Sequence, residues 1–413
     1  METIDRNAST PDGRVDEAGP GVLVARNFHL GSVIHVSTAD GPVVVDTTGG
    51  LAAASAARDA LAARSPGRVR WVVYTHCHPD HCGGAAAFES DVLEGVLAQD
   101  QLPGLWERDM GCLWPWHERV RAWQRGRPVE AGIGYAEAGG RGFLDPTLTF
   151  RDELDLEVGG TRLHLEHTEG ETRDHLLVWL PERRVLCPGD LYYAAFPNLS
   201  TPAIGPRPVE AWIRSLDRML ELEAHHLVPS HTRPISGRDN VRAVLTAYRD
   251  AIAHVWTATE QALNDGLDVD TAAATIRLPD HLAAEPFLRE LYGTVAWGVR
   301  AVFDRLTGWF DGSPATLDPL PRAERHLDVV DLAGSDVLVA RARARHGEGR
   351  HQLALELASI VLDADPADDG ANRVTIDACR ALRAAATSIN AKGFYTTGIR
   401  LAQQRLERAS DPV

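Results

Sequence analysis

The sequence lacks most features that would direct a chain to a membrane, to nucleic acid or to an oxidising compartment. Its 413 residues include only five cysteines, an odd and scattered set that forms no disulfide framework. No run of about 18 apolar residues occurs, and the polar start has no apolar segment typical of a signal peptide. Lysine occurs once, as Lys392, and the formal charge of -16 disfavours nucleic acid and anionic membranes as partners. These absences predict a soluble cytoplasmic protein.

The distribution of apolar and turn residues divides the chain into three predicted parts. Residues 1–20 are polar and acidic and predict a flexible tail. Residues 21–250 alternate strand and helix patterns, with the strands grouped in two blocks, which predicts two sheets flanked by helices. Within them, 92–145 is rich in tryptophan, glycine and arginine, follows no regular period and is interpreted as an insert. Residues 251–413 carry helical patterns and predict an all-α domain.

The strongest signal is the segment THCHPDHCGG at 75–84, which follows the apolar strand pattern VRWVVYT. His76 and His78 point to the same side of an extended segment, because side chains alternate along a strand. The turn that follows can bring Asp80 and His81 to a second point nearby. Three imidazoles and a carboxylate this close in sequence predict a site for two adjacent metal ions.

The pattern H-x-H-x-D-H resembles the signature of the metallo-β-lactamase superfamily. This resemblance implies an α/β fold, the αββα sandwich of that superfamily, followed here by the all-α domain. It also implies three further ligands: Glu171 in HTEGET, where histidine is usual, Asp190 in PGD at a strand end, and His231 in LVPSH.

The resemblance distributes these residues over two divalent metal ions. Asp190 would bridge the ions, and Asp80 and Asp190 are also the candidate catalytic carboxylates. Two nearby histidines, His167 and His175, remain alternative ligands. The implied half-sites are His76, His78 and Glu171 for one ion, and Asp80, His81 and His231 for the other.

A narrower resemblance is to the alkylsulfatase branch of the superfamily. Glutamate at position 171 is a mark of that branch, and the segments LYGTV at 291–295, GWFDG at 308–312 and KGFYTTG at 392–398 resemble its helical dimerisation domain. This resemblance implies a homodimer. It also implies a zinc-dependent hydrolase that cleaves a sulfate ester or another ester.

The sequence departs from the sulfatase pattern at one place. Sulfatases carry an arginine shortly after the Asn-Leu that follows the bridging residue, and the stretch 198–205, NLSTPAIG, has none. Sulfate recognition needs such a cation, because the carboxylate ligands nearly cancel the charge of the metal ions. Arg207 or Arg233 would have to replace it.

The ligand set also resembles that of metallo-β-lactamase-fold di-iron monooxygenases of natural-product biosynthesis. Two histidines and a terminal carboxylate in each half-site suit non-haem iron and dioxygen. Bridging by Asp190 is similar to those enzymes, whereas sulfatases tend to bridge with glutamate. We therefore favour a di-iron monooxygenase that uses dioxygen to hydroxylate a bulky apolar small molecule, with iron preferred to zinc. The alternative hypothesis is the zinc-dependent hydrolase.

Overall fold

The computed structural model of the protein describes residues 13–129 and 142–410. The strands in these ranges are β1 (Arg14–Gly19), β2 (Val22–Arg26), β3 (Val33–Val36), β4 (Val43–Val45), β5 (Trp71–Val73), β6 (Gly95–Gln99), β7 (Leu148–Phe150), β8 (Glu153–Val158), β9 (Thr161–His167), β10 (Leu176–Leu180), β11 (Val185–Cys187), β12 (His226–Leu227) and β13 (Ile235–Ser236).

The α-helices in the same ranges divide between the sheet-containing part and the C-terminal part. They are α1 (Leu51–Arg64), α2 (Pro79–Cys82), α3 (Leu102–Trp106), α4 (Trp114–Arg125), α5 (Val209–Glu221), α6 (Arg238–Asn264), α7 (Val269–Thr275), α8 (Asp280–Ala283), α9 (Val295–Thr307), α10 (Arg322–Ala333), α11 (Ser335–Gly347), α12 (His351–Ala364), α13 (Asp369–Ala385) and α14 (Ile389–Ser410). No helix within 13–129 or 142–410 combines the length and the apolar character needed to cross a bilayer.

The strands form two sheets. In the first sheet β1 to β7 follow one another in order, antiparallel from β1 to β4 and parallel from β4 to β7. The second sheet has the order β13-β12-β11-β10-β9-β8, and only β11 and β12 are parallel. The parallel pairs matter for the site, because neighbouring parallel strands end at the same edge of a sheet.

Apolar side chains fill the space between the two sheets and cover both outer faces. Valines of the first sheet, such as Val45 and Val73, share one buried cluster with Leu163 and Val178 of the second. Helix α1 covers the outer face of the first sheet, and α5 and α6 cover that of the second. These layers confirm the predicted αββα sandwich, and the predominantly helical chain after β13 agrees with the predicted helical part.

The division into compact units differs from the predicted boundary at residue 250. Helix α6 runs across that position, and its buried residues continue the core on the second sheet. Of the described residues, one unit contains those up to Pro115, from 142 to 289 and from 293 to 305. The other contains 116–129, 290–292 and the residues from Leu306 onwards. The sequence pattern missed this boundary because helices that pack on a sheet have the same period as helices that pack on each other.

Two further predictions need correction. The tail predicted for 1–20 is wrong for Arg14–Gly19, which form β1; residues 1–12 lie outside the described ranges. Charged residues tolerate this edge position, where Arg26 of β2 donates to Asp16 at 2.8 Å. The insert predicted for 92–145 contains β6, a fully buried strand too short to show a period; residues 130–141 also lie outside the described ranges.

Candidate metal centre

The motif segment and later segments of the chain meet where the strands of the sandwich end. Asp46 and Thr75 follow the parallel strands β4 and β5 and lie side by side, with the Thr75 N–H donating to Asp46 Oδ1 at 2.9 Å. The segment His76–His81 continues from there. Asp190 and His231 follow the parallel strands β11 and β12 of the second sheet. Both sheets therefore contribute ends of parallel strands to one cluster.

All seven predicted ligands lie in this cluster, and Glu171 reaches it from the loop between β9 and β10. The contacts that join them are His76 Nε2 to His78 Nδ1 at 2.9 Å, His231 Nε2 to Asp190 Oδ2 at 3.0 Å, His81 Nε2 to Asp190 Oδ2 at 3.4 Å, His231 Nε2 to Asp80 Oδ2 at 3.5 Å, and His78 Nδ1 to Glu171 Oε1 at 4.0 Å.

The cluster contains three overlapping groups of side chains, each compact enough to hold one ion. Asp80, His81 and His231 form one group, which is the half-site assigned from the sequence. The other predicted half-site is divided: His78 and Glu171 group with Asp190, and His76 and His81 also group with Asp190. Asp190 and His81 each belong to two of the three groups, and of the two only the carboxylate of Asp190 has two oxygens with which to bridge a pair of ions.

Hydrogen bonds on the outer side of three histidines fix which nitrogen faces the cluster. His231 Nδ1 donates to the carbonyl oxygen of Leu30 at 3.0 Å, and His81 Nδ1 donates to Asp46 Oδ2 at 2.7 Å. The Thr75 hydroxyl donates to Asp46 and accepts from His76 Nδ1 at 3.0 Å. With Nδ1 occupied on its outer side, each of these rings has Nε2 left to serve as the metal-binding nitrogen, in the tautomer that a metal ligand requires.

Asp46 organises these contacts although it lies outside the ligand set. Its side chain is fully buried and accepts hydrogen bonds from the Thr75 backbone and hydroxyl, from His81 Nδ1, and from Ser230 Oγ at 2.8 Å. Four donors satisfy its two oxygens. Asp46 therefore orients one predicted ligand directly and links the first sheet to the segment that carries His231.

The electrostatics of the cluster favour a cation at its centre. Burial alone would raise the pKa of Asp190, but His231 and His81 hold that pKa well below its usual range. Asp190 in turn raises the pKa of His231 against the effect of burial. Asp190 Oδ1 and Glu171 Oε2 are buried and have no hydrogen-bond partner among the described residues. Imidazole nitrogens and unpartnered carboxylate oxygens that face each other are a donor set that fits divalent metal ions.

The positively charged side chain of an arginine holds Glu171. Arg207 Nη2 donates to Glu171 Oε1 at 2.7 Å, and both side chains are buried. Burial raises the pKa of Glu171 to about 7, and the positive charge of Arg207 opposes that rise. Arg207, a predicted substitute for the missing sulfatase arginine, is thus engaged with a predicted ligand. Arg233, the other candidate, is exposed.

The two alternative histidines take other positions. His175 Nε2 accepts the Asp190 N–H at 3.1 Å, so it holds the backbone of a predicted ligand. Gly189 permits this contact, because it has a positive φ of 55° and an added Cβ would lie 2.6 Å from His175 Nε2. His167 Nε2 donates to the carbonyl oxygen of Arg173 at 2.7 Å, which directs it away from the cluster.

Sequence reasoning missed Asp46, Ser230 and the contact between Arg207 and Glu171. A usable signal existed for Asp46, which directly follows the apolar run VVV of β4, the strand that precedes the motif strand. Polar residues just beyond the ends of parallel strands are common site residues. No local pattern marks Arg207, because its partner lies 36 residues away.

The family described as Metallo-beta-lactamase superfamily matches residues 26–231, and the family described as Alkyl sulfatase dimerisation matches residues 269–404. The sandwich and its cluster of side chains that could hold metal ions fit the first description. The fold and the site thus define the class as the metallo-β-lactamase superfamily.

Relatives that match most of the chain identify a family within this superfamily. A linear primary-alkylsulfatase from Pseudomonas sp. is 33% identical over 357 residues, which cover 82% of this chain and 68% of the relative. An (R)-specific secondary-alkylsulfatase from Pseudomonas sp. is 28% identical and covers 92% of this chain and 61% of the relative. The chain belongs to the alkylsulfatase family.

A solved structure has the same architecture. The stereoselective inverting sec-alkylsulfatase Pisa1 from Pseudomonas sp. matches with a TM-score of 0.86 at 26% identity, over 94% of this chain and 66% of that chain. The chain spans between 61% and 68% of the length of these three relatives.

The preferred hypothesis of a di-iron monooxygenase is wrong, since the relatives that match along the chain are alkylsulfatases. The expectation of iron and dioxygen loses its basis with it. The error came from the ligand set, because two histidines and a carboxylate suit zinc as well as iron. The alternative hypothesis, a hydrolase of the alkylsulfatase type, is the one that these relatives favour.

Proposed function

We propose that this protein is a zinc-dependent hydrolase of the alkylsulfatase type, which cleaves the sulfate ester of an apolar alcohol. The observation that carries the proposal is the convergence of seven ligating side chains in a chain whose relatives are alkylsulfatases. The relatives are longer proteins, so their activity is extended to this chain by proposal. The products would be the free alcohol and inorganic sulfate.

The proposed ligand set is the one read from the sequence. His76, His78 and Glu171 would hold one zinc ion, Asp80, His81 and His231 the other, and Asp190 would bridge them. When bound, such ions polarise ester oxygens and lower the pKa of a water molecule to near neutrality. The chain's own contribution is orientation, since Asp46, Thr75 and Leu30 O fix the tautomers of three histidines.

The first prediction concerns the activity and the metal together. Zinc-loaded protein is expected to release sulfate from octyl or dodecyl sulfate, to lose that activity when a chelator removes the metal, and to regain it with zinc. His78→Gln is expected to lower both the zinc content and the rate at least about a hundred-fold, because it removes one of the imidazole donors of the proposed ligand set. Sulfate release and bound zinc are measured on the same samples.

His167→Gln is the matched control, because that histidine ends β9 and bonds to Arg173 O, outside the set of predicted ligands. It is expected to keep both the zinc and the rate. Zinc-loaded parent protein that hydrolyses a carboxylate ester but no alkyl sulfate would refute the sulfate specificity. Sulfate release that survives complete removal of metal would refute the metal-dependent mechanism.

The C-terminal unit carries a surface that a second copy of the chain would cover. None of the residues 306–338 is buried, although the segment includes the whole of α10. It exposes large apolar side chains, among them Leu332 at 87%, Trp309 at 72% and Val337 at 63%. Large apolar side chains left exposed along one segment are typical of an interaction site. The match of 269–404 to the Alkyl sulfatase dimerisation family supports a homodimer formed through this segment.

The second prediction tests this interface. Leu332→Glu is expected to raise the dimer dissociation constant at least about tenfold, or ~1.4 kcal/mol, because a buried charge would replace an apolar contact in each protomer. Light scattering during size-exclusion chromatography measures the mass as a function of concentration. Leu51→Glu on α1, at an exposed leucine of the sheet-containing unit, is the control that keeps the parent mass. A parent protein that is monomeric at micromolar concentration would contradict the proposal.

A further inference from the structure

The guanidinium of Arg207 binds one residue, Glu171, at both its side chain and its backbone. Nη2 donates to Glu171 Oε1 at 2.7 Å, and Nη1 donates to the Glu171 carbonyl oxygen. The arginine is only 8% exposed and the glutamate 3%, so water competes little for these bonds. A planar guanidinium that binds two acceptors of one residue restricts the conformation of that residue more than a single hydrogen bond would.

The loop that carries Glu171 is also held from its other side. Ser215 Oγ of α5 donates to the carbonyl oxygen of Glu169 at 2.7 Å. Gly170 packs so closely that an added Cβ would lie 2.4 Å from Leu191 Cδ2 and 3.0 Å from Trp212 Cγ. The backbone on both sides of Gly170 is therefore fixed, and Arg207 holds the point at which the loop turns towards the cluster.

Arg207 itself has a fixed backbone. Its N–H donates to the carbonyl oxygen of Leu199 at 3.1 Å, and its own carbonyl oxygen accepts the N–H of Val209 at 2.9 Å. Val209 is the first residue of α5. The guanidinium is therefore anchored at a defined distance from the helix that supports the loop.

The position of Glu171 requires such a constraint, because a glutamate side chain has three rotatable torsions and histidine, usual at this position in the superfamily, has two. Arg207 leaves the carboxylate free to bind a cation. Glu171 Oε1 lies 4.0 Å from His78 Nδ1 and keeps a second lone pair, and Oε2 is buried without a hydrogen-bond partner in the described part of the chain.

We infer that Arg207 is a positioning residue, which holds the Glu171 carboxylate in the geometry of a metal ligand. The inference rests on the proposed function, from which it takes Glu171 as a ligand. In this arrangement both terminal nitrogens of Arg207 are bonded to Glu171.

The test is the zinc content of purified, zinc-loaded protein after dialysis against a graded chelator. Arg207→Met keeps most of the side-chain volume and removes both bonds, and it is expected to lower the content from about two ions per chain to about one. Arg218→Met is the matched control: Arg218 also binds a carboxylate, with Nε 2.9 Å from Glu166 Oε1, but lies outside the cluster. It is expected to keep both ions.

A second variant separates positioning from a general structural role. If Arg207 acts through the carboxylate, the double variant Glu171→His, Arg207→Met is expected to regain the lost ion. Histidine has fewer side-chain torsions and does not need the hydrogen bonds from Arg207 to hold it in place. Arg207→Met that keeps both ions at the parent chelator concentration would overturn the inference, and so would a double variant that still lacks one. The proposed function fails separately, if zinc-loaded parent protein with both ions does not release sulfate from an alkyl sulfate.

Discussion

Replacing Asp190 by asparagine is expected to lower the turnover of an alkyl sulfate at least about a thousand-fold, or ~4 kcal/mol in activation free energy. Asp190 Oδ2 lies 3.0 Å from His231 Nε2, 3.4 Å from His81 Nε2 and 3.9 Å from His76 Nε2. No other carboxylate approaches three of the predicted histidine ligands within these distances in the described part of the chain. An amide is neutral and has one acceptor atom in place of two, so it cannot hold two cations together.

The measurement is the rate of sulfate release at saturating zinc, together with the zinc content of the same sample. Asp217→Asn is a control, because Asp217 pairs with Arg249 away from the cluster. It is expected to leave both quantities unchanged. If Asp190→Asn kept two zinc ions and the parent rate, the assignment of Asp190 as the bridging ligand would be wrong.

Asp46→Asn is expected to have the largest effect of any change outside the ligand set. The aspartate accepts hydrogen bonds from Thr75, His81 and Ser230, and an amide must turn a donor towards at least one of them. Leaving such buried groups unpaired is expected to lower the free energy of unfolding by about 3 kcal/mol. Loss of the bond that orients His81 is expected to weaken metal binding about 10- to 100-fold. The backbone is not a confounding factor, because asparagine tolerates the positive φ of 58° at this position.

Chemical denaturation of the metal-free protein and zinc titration of the folded protein measure these two effects separately. Asp155→Asn is the matched control, since Asp155 also contacts a histidine, with Oδ1 3.0 Å from His164 Nδ1, but at an exposed position of β8. Solvent satisfies the groups that this control leaves unpaired, so both measurements are expected to stay near the parent values. Equal effects of the two substitutions would mean that Asp46 does not organise the centre.

Much of the candidate site could be predicted from the sequence, because its central part is local. His76 to His81 are adjacent in the chain, and an extended segment followed by a turn already places their donors together. Glu171, Asp190 and His231 are separated by long intervals, and only the resemblance to a family indicated them. The contacts of Asp46 and Arg207 could not be predicted, because they depend on how loops from different strands pack.

The fold shows the same limit. The layers were predicted correctly, since short apolar runs and helical periods indicate which faces are buried. The predicted boundary at residue 250 does not match the compact units, because the apolar face of α6 continues without interruption past that position, from Val241 to Ala262. The reaction was misjudged for a chemical reason. The types of ligand constrain the identity of the metal only weakly. The loss of one arginine is a change that occurs within a family and is not evidence of a different family.

Residues at the strand ends of both sheets form the candidate metal centre, and this arrangement has a consequence for the stability of the molecule. Ser230 meets Asp46 across 184 residues of chain, and His231 meets the Leu30 carbonyl across 201. An unfolded chain offers an ion only the local donors of the segment 76–81, so an ion binds the native state more tightly, and the difference in binding free energy adds to the free energy of unfolding. Scarcity of metal would therefore affect not only turnover but also how long the folded chain survives proteolysis.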